Sequence, residues 1–171
     1  MGGNTDFADT RTAFADLPPD LKKQLEDNDY VANHSLWHSR KRASPEFFKD
    51  VVPEDYPMSR HKLIQRHERS GRMNMYIANH MHHIEGLSDE ESKEMIETLL
   101  AFATQDKYVI SVEWENEGDL LIWDNTAVMH RAHGGTYEGK YKRDMRRTTV
   151  HDDSTHAWGL NEKSDFRMGL P

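Results

Sequence analysis

The sequence predicts a mainly β fold with helical insertions, of the antiparallel barrel or jelly-roll type. Three observations carry this. Short runs of alternating apolar and polar residues crowd the second half of the chain, turn-forming residues separate them at close spacing, and one clear amphipathic helix stands ahead of them as an insertion. No internal repeat and no Pro/Gly/Ser tract divides the chain, so residues 1–171 read as a single unit.

The elements follow in order. Gly2-Gly3 opens onto a short extended stretch at 5–8. Residues 10–17 read as a helix, which Pro18-Pro19 end, and a second helix starts over 20–26 because proline suits the first helical turn. Residues 44–57, with Pro45, Pro53 and Pro57, read as an irregular excursion of the kind that covers active sites. From Lys62 short strands are mixed with a helix: Ser88 and Glu91 form a capping box, and Met95, Ile96, Leu99, Leu100 and Ala103 recur at helical spacing. Residues 108–114 alternate as a strand with one buried face. Residues 116–119 turn, 120–123 form the next strand, Asp124-Asn125 turn again, and 126–131 form a strand carrying His130. A glycine-rich loop at 133–139 leads into a last strand at 141–150.

Composition excludes several classes. With 22 Lys+Arg against 30 Asp+Glu, the net charge of −8 argues against partners that present phosphates, whether nucleic acid or anionic membrane. The absence of cysteine removes disulfides, thiolate metal sites and cysteine nucleophiles. No basic-then-apolar leader and no membrane-length apolar run is present, so a soluble cytoplasmic protein is expected.

The residues that could do chemistry lie on the last two strands. Period-two alternation puts Arg143, Met145, Arg147 and Thr149 on one face and Arg146 on the other. Two guanidiniums projecting into a barrel interior need anions, since arginine grips carboxylate in a bidentate fork. An exposed strand face paired with Asp or Glu is the alternative.

At this point the residues carry a resemblance. The run Gly2-Gly3-Asn4-Thr5-Asp6-Phe7-Ala8-Asp9-Thr10-Arg11, the triplet Ser70-Gly71-Arg72, and Gly118-Asp119-Leu120-Leu121-Ile122-Trp123-Asp124-Asn125 come first. Met129-His130-Arg131 and Arg143-Asp144-Met145-Arg146-Arg147-Thr148-Thr149-Val150 follow in order and spacing. Together they resemble the taurine dioxygenase/2,4-dichlorophenoxyacetate dioxygenase family of Fe(II)- and 2-oxoglutarate-dependent oxygenases. The resemblance implies a double-stranded β-helix, hydroxylation of an anionic small molecule with O₂, and decarboxylation of 2-oxoglutarate to succinate. It also implies a role for each matching position. His130 stands for the C-terminal metal-binding histidine. Arg143, assisted by Thr5, stands for the residue that grips the distal carboxylate of 2-oxoglutarate, and Arg147 for the one that receives the anionic substrate. Iron held on one face by two His and one carboxylate leaves open positions for the keto acid and O₂.

One departure stands against these agreements. The family's other two metal ligands form a His-x-Asp motif upstream of the Gly-Gly-x-Thr block, which here begins at residue 2. The sequence therefore reads as the C-terminal part of a dioxygenase, with its β-helix incomplete, tending to self-associate when isolated. Two local triplets, His83-Ile84-Glu85 and His151-Asp152-Asp153, are rejected as substitutes because the resemblance puts one in a packing element and the other in a polar tail. The cluster His80, His82, His83 reads as hydrogen-bonded rather than ligating. A non-catalytic relative acting as an anion-binding or oligomerising module is the second reading. A small cupin-like metal protein, the third, would need more histidines on facing strands.

Overall fold

The structure, a computed structural model, describes residues 2–142 and 144–164. Among the described residues eight strands pair antiparallel throughout, in three small sheets, with four α-helices packed among them. The antiparallel sheets with helices packed among them are the jelly-roll architecture expected from the sequence.

The first sheet has the order β7-β1-β8, with β1 at Thr5–Asp9, β7 at Val109–Val112 and β8 at Val128–Ala132. The central strand is thus the one that follows Gly2-Gly3. Gly2 bridges to Gly135, and a Cβ on Gly2 would lie 2.7 Å from the Gly135 Cα, so only glycine permits this close approach of the two segments. The second sheet joins β3 (Ser59–Lys62), β2 (Val31–His34) and β6 (Met81–Ile84), and the third pairs β4 (Ile64–Arg66) with β5 (Met73–Met75).

The helices start where side chains satisfy their first backbone N–H groups. Helix α1 (Thr10–Ala15) begins at Asp9, whose Oδ1 accepts from the amides of Arg11 and Thr12 at 3.0 and 3.3 Å. Helix α2 (Pro19–Asn28) follows the double proline, and α3 (Leu36–Ala43) is capped by Ser35. Helix α4 (Asp89–Ala103) carries the expected capping box between Ser88 and Glu91. Its buried stripe, Ile96, Leu99 and Ala103, packs with Phe14 and Leu17 after β1, with Met75 on β5 and with Met81 and Ile84 on β6. The Ser92 hydroxyl accepts from the Ile84 amide at 3.1 Å and fastens the helix to the sheet.

Three expectations fail. Residues 120–123 form no strand, and Leu120 and Ile122 are 83% and 82% exposed. Residues 144–150 likewise form no strand. The strand expected over 108–114 is shortened to β7 and lacks the buried face, since Ile110 is 65% exposed. The physical reason is one of pairing: β7 has a ladder with β1 on one side alone, and among the described residues no strand pairs with 120–123 or 144–150. Among the described residues no helix is long and apolar enough to cross a membrane.

Candidate functional site

The register of the first sheet assembles the site. Phe7 opposes His130 and Thr5 opposes Ala132, so Thr5, Phe7 and His130 project from one face, while Asp6 and Arg131 project from the other. On that far face Arg131 Nε donates to Asp6 Oδ2 at 2.9 Å. The hydrogen bond from Ser111, with help from Arg131, holds the Asp6 carboxyl below its ordinary value against the opposing effect of burial. Arg131 is therefore committed away from the site.

On the near face the Thr5 side chain is buried, and its hydroxyl oxygen accepts from Trp114 Nε1 at 3.1 Å. The His130 ring lies with its centroid 4.9 Å from that of Trp123 and 6.4 Å from that of Phe7. Partial burial under these rings lowers its pKa, and the positive charge of Arg147 lowers it further. The imidazole is thus kept neutral, the form that ligates a metal. No described residue hydrogen-bonds its ring nitrogens. Thr5, His130 and Arg147 all line one open groove of about 2340 Å³. Arg146 lines it too, because without a strand at 144–150 the period-two separation of the two arginines does not operate. Arg143, read from the sequence as the 2-oxoglutarate contact, lies outside the described residues.

His61 and Tyr76 line the same groove, and behind them packs a cluster of histidine rings. His34 lies between His61, Tyr76 and His80, with centroids 5.7, 5.6 and 5.1 Å away. Both His34 ring nitrogens and Nδ1 of His61 have no hydrogen-bond partner among the described residues, whereas Nε2 of His61 meets the Ser59 hydroxyl at 2.8 Å. Burial holds all three imidazoles neutral, lowering His61 and His80 to about 4 and His34 well below its usual value.

The alternative triplets have other work. Arg60 grips Glu85 with both Nε and Nη2, at 2.7 and 2.9 Å, and Asn33 donates to it at 3.0 Å. The Arg60 hydrogen bond is the main cause that brings the Glu85 carboxyl to about 2. His82 sits between His83 and Glu54, each 2.9 Å away, and Asp153 pairs with Arg69 at 3.3 Å. Among the described residues no group of three His, Cys, Asp or Glu could hold a metal ion. The described part of the chain thus offers His130 as one imidazole and does not form a complete metal centre.

Sequence reasoning missed Phe7, Trp114 and Trp123, which frame Thr5 and His130. Alternation along β1 is the signal that could have found Phe7, since it shares the face of Thr5. The pair His67 and Asp124, 3.0 Å apart and separated by 57 residues, left no local signal.

The family model for taurine catabolism dioxygenase TauD, TfdA family, matches residues 1–149. The chain is 38% identical over 149 residues to the alpha-ketoglutarate-dependent 2,4-dichlorophenoxyacetate dioxygenase of Burkholderia sp. (strain RASC), an alignment covering 87% of this chain and 48% of that protein. It is 36% identical over 153 residues to the protein of the same name from Cupriavidus pinatubonensis, covering 90% of this chain and 52% of that one. The crystal structure of AAD-2 in complex with Mn(II) and N-oxalylglycine superposes with a TM-score of 0.71 at 31% identity, covering 85% of this chain and 56% of the other. The chain spans about half the length of the curated relatives it matches.

Proposed function

The chain belongs to the TauD/TfdA family, and from that premise we propose that it contributes one wall of the active site of an Fe(II)- and 2-oxoglutarate-dependent dioxygenase acting on an anionic small molecule. The observation that carries the reading is the convergence of Thr5, His130 and Arg147 on one groove. His130 supplies one metal ligand, and the remaining two come from outside the described residues. Bound iron would supply the activation of O₂ that accompanies decarboxylation of 2-oxoglutarate to succinate.

The chain's own residues have separable tasks. Arg143, with the hydroxyl of Thr5, binds the distal carboxylate of 2-oxoglutarate through charge-assisted hydrogen bonds. Trp114 orients that hydroxyl by donating to its oxygen. Arg147 receives the anionic group of the substrate. Phe7 and Trp123 keep water from one side of the His130 ring. A cytoplasmic setting, where 2-oxoglutarate and ferrous iron are at hand, and self-association through the exposed apolar residues Ile110, Leu120 and Ile122 belong to the same proposal. A monodisperse monomer in sedimentation velocity would remove the self-association.

The test joins this chain to the N-terminal half of a family member that carries the His-x-Asp strand and measures succinate release. His130→Ala should abolish turnover. Arg143→Gln should raise the KM for 2-oxoglutarate by about 30- to 1000-fold, from roughly 2–4 kcal/mol for a charged partner left unpaired in a dry site. Arg147→Gln should spare uncoupled decarboxylation and weaken the substrate-dependent reaction. Full turnover by the His130→Ala form would sink the reading.

A further inference from the structure

The turn that launches β8 is held in place by side chains from distant parts of the chain. Asn74, fully buried on β5, donates from Nδ2 to the Thr126 carbonyl at 2.7 Å. Its Oδ1 accepts from the Thr10 hydroxyl at 2.6 Å, and that hydroxyl also lies 3.1 Å from the Ala127 carbonyl. Asp124 organises the turn from within. Its Oδ1 accepts from the Thr126 amide and hydroxyl at 2.8 and 2.6 Å, and its backbone carbonyl accepts from the amides of Ala127 and Val128 at 3.1 and 3.2 Å.

The remaining carboxylate oxygen, Oδ2, faces Nε2 of buried His67 at 3.0 Å. The other face of that ring decides its tautomer. Nδ1 takes the Ser70 hydroxyl at 2.7 Å and the Ser70 amide at 3.3 Å, and an amide can only donate. Nδ1 is therefore the acceptor, and the ring proton sits on Nε2, aimed at Asp124.

The turn matters for His130 in two ways. Strand β8 is at the edge of its sheet, hydrogen-bonded to β1 alone, and its first pairing is Asp9 with Val128. Among the described residues its leading end is fixed by that pairing and by the turn. The turn is also preceded directly by Trp123, whose ring packs on His130 and whose Nε1 donates to Asn125 Oδ1 at 2.7 Å inside the turn.

We propose that His67 is a positioning residue for His130: by donating from Nε2 to Asp124 it fixes the 124–127 turn, and through the turn the Trp123 ring and the leading end of β8 that set the imidazole's orientation. The inference that His130 ligates a metal rests on the reading above, whereas the mechanical link from His67 to His130 stands by itself.

The experiment uses the 171-residue chain and two substitutions that divide the histidine's nitrogens. His67→Gln places an amide nitrogen near the Nε2 position and keeps the donor to Asp124, whereas His67→Asn reaches only the Nδ1 position and keeps the Ser70 contact. Amide hydrogen exchange of Val128 to Ala132 and the ring-current shift of the His130 Cε1 proton from Trp123 are read by NMR. His67→Gln should match the wild type. In His67→Asn, exchange in β8 should rise about tenfold or more and the ring-current shift collapse, with exchange of Ile96 and Leu99 in α4 unchanged. Equal behaviour of the two variants, or an equal rise in α4, would overturn the proposal. Should His67→Asn fail to fold, the ¹⁵N shifts of His67 in the wild type decide, because an Nδ1–H tautomer leaves no donor for Asp124. Succinate release by the joined protein described above separates the two readings: full turnover by its His130→Ala form removes the ligand reading, while the Gln/Asn contrast alone bears on the positioning.

Discussion

Helix α4 and the segment 120–123 were equally suggestive in sequence, one by capping box and helical spacing, the other by apolar residues ending in a turn. Only the first became the element expected. The difference is where the hydrogen bonds go. A helix satisfies its backbone within the segment, so capping and periodicity suffice to specify it. A strand's ladder and its buried face belong to its neighbours, and residues 120–123 have no ladder partner among the described residues. The same apolar residues that bury in α4 therefore stand in solvent at Leu120 and Ile122.

The sharpest way to break that comparison is to delete apolar atoms on both sides. Leu99 is 0% exposed, and Leu99→Ala should cost about 2–5 kcal/mol through lost transfer and the cavity left behind. Ile122→Ser should change stability by no more than about 0.5 kcal/mol, as exposed substitutions do. Chemical denaturation of both variants measures this, and an Ile122→Ser cost comparable to that of Leu99→Ala would show that 120–123 is packed after all.

The next effect belongs to the buried imidazoles, which the sequence did not bring together: His34 and His61 lie on separate segments, and His80 was grouped with His82 and His83 instead. His61 is 7% exposed and has its pKa lowered from 6.5 to about 4 by burial. Between those values the unfolded chain binds a proton that the folded one refuses, so stability is full above pH 6.5 and is lost as pH falls towards 4. The loss is roughly 3 kcal/mol for this ring, and His34 and His80 act in the same direction. Denaturant melts from pH 7.5 to 4.5 should show the decline, and His61→Gln should flatten it. An unchanged slope in that variant would mean the ring is hydrated in solution.

Ser88→Ala probes how self-sufficient α4 is. Loss of the cap should cost about 1 kcal/mol and leave the pH slope untouched. Fraying confined to residues 89–92 by hydrogen exchange would agree with a locally specified helix, whereas loss of protection along β6 would show that the helix owes its position to the sheet.

The site divides along the same line. Thr5 and His130 could be named from the sequence because the family resemblance carries them over position by position, and the pairing of β1 with β8 then puts them on one face. The partners that hold them could not: Trp114 is 109 residues from Thr5, and His67 meets Asp124 only through the folding of the β4–β5 hairpin. The two arginines were assigned to opposite faces of a strand that does not form. Both line the groove, and what separates them is the charge of Arg147, the one that acts on His130.

That separation makes the smallest and most discriminating prediction. Burial is the main cause of the lowered His130 pKa and the charge of Arg147 is the second. Arg147→Gln removes only the second cause, so the His130 pKa should move upward while staying below its ordinary value. Arg146→Gln should leave it in place. The displacement should shrink with added salt, since a charge at the rim of an open groove is screened over about 10 Å at 0.1 M ionic strength. Titration of the His130 Cε1 proton by NMR in the three proteins measures it. If Arg146→Gln produces the larger shift, the geometry of 144–150 is reversed about the groove, and Arg146 takes over the substrate-facing role assigned to Arg147.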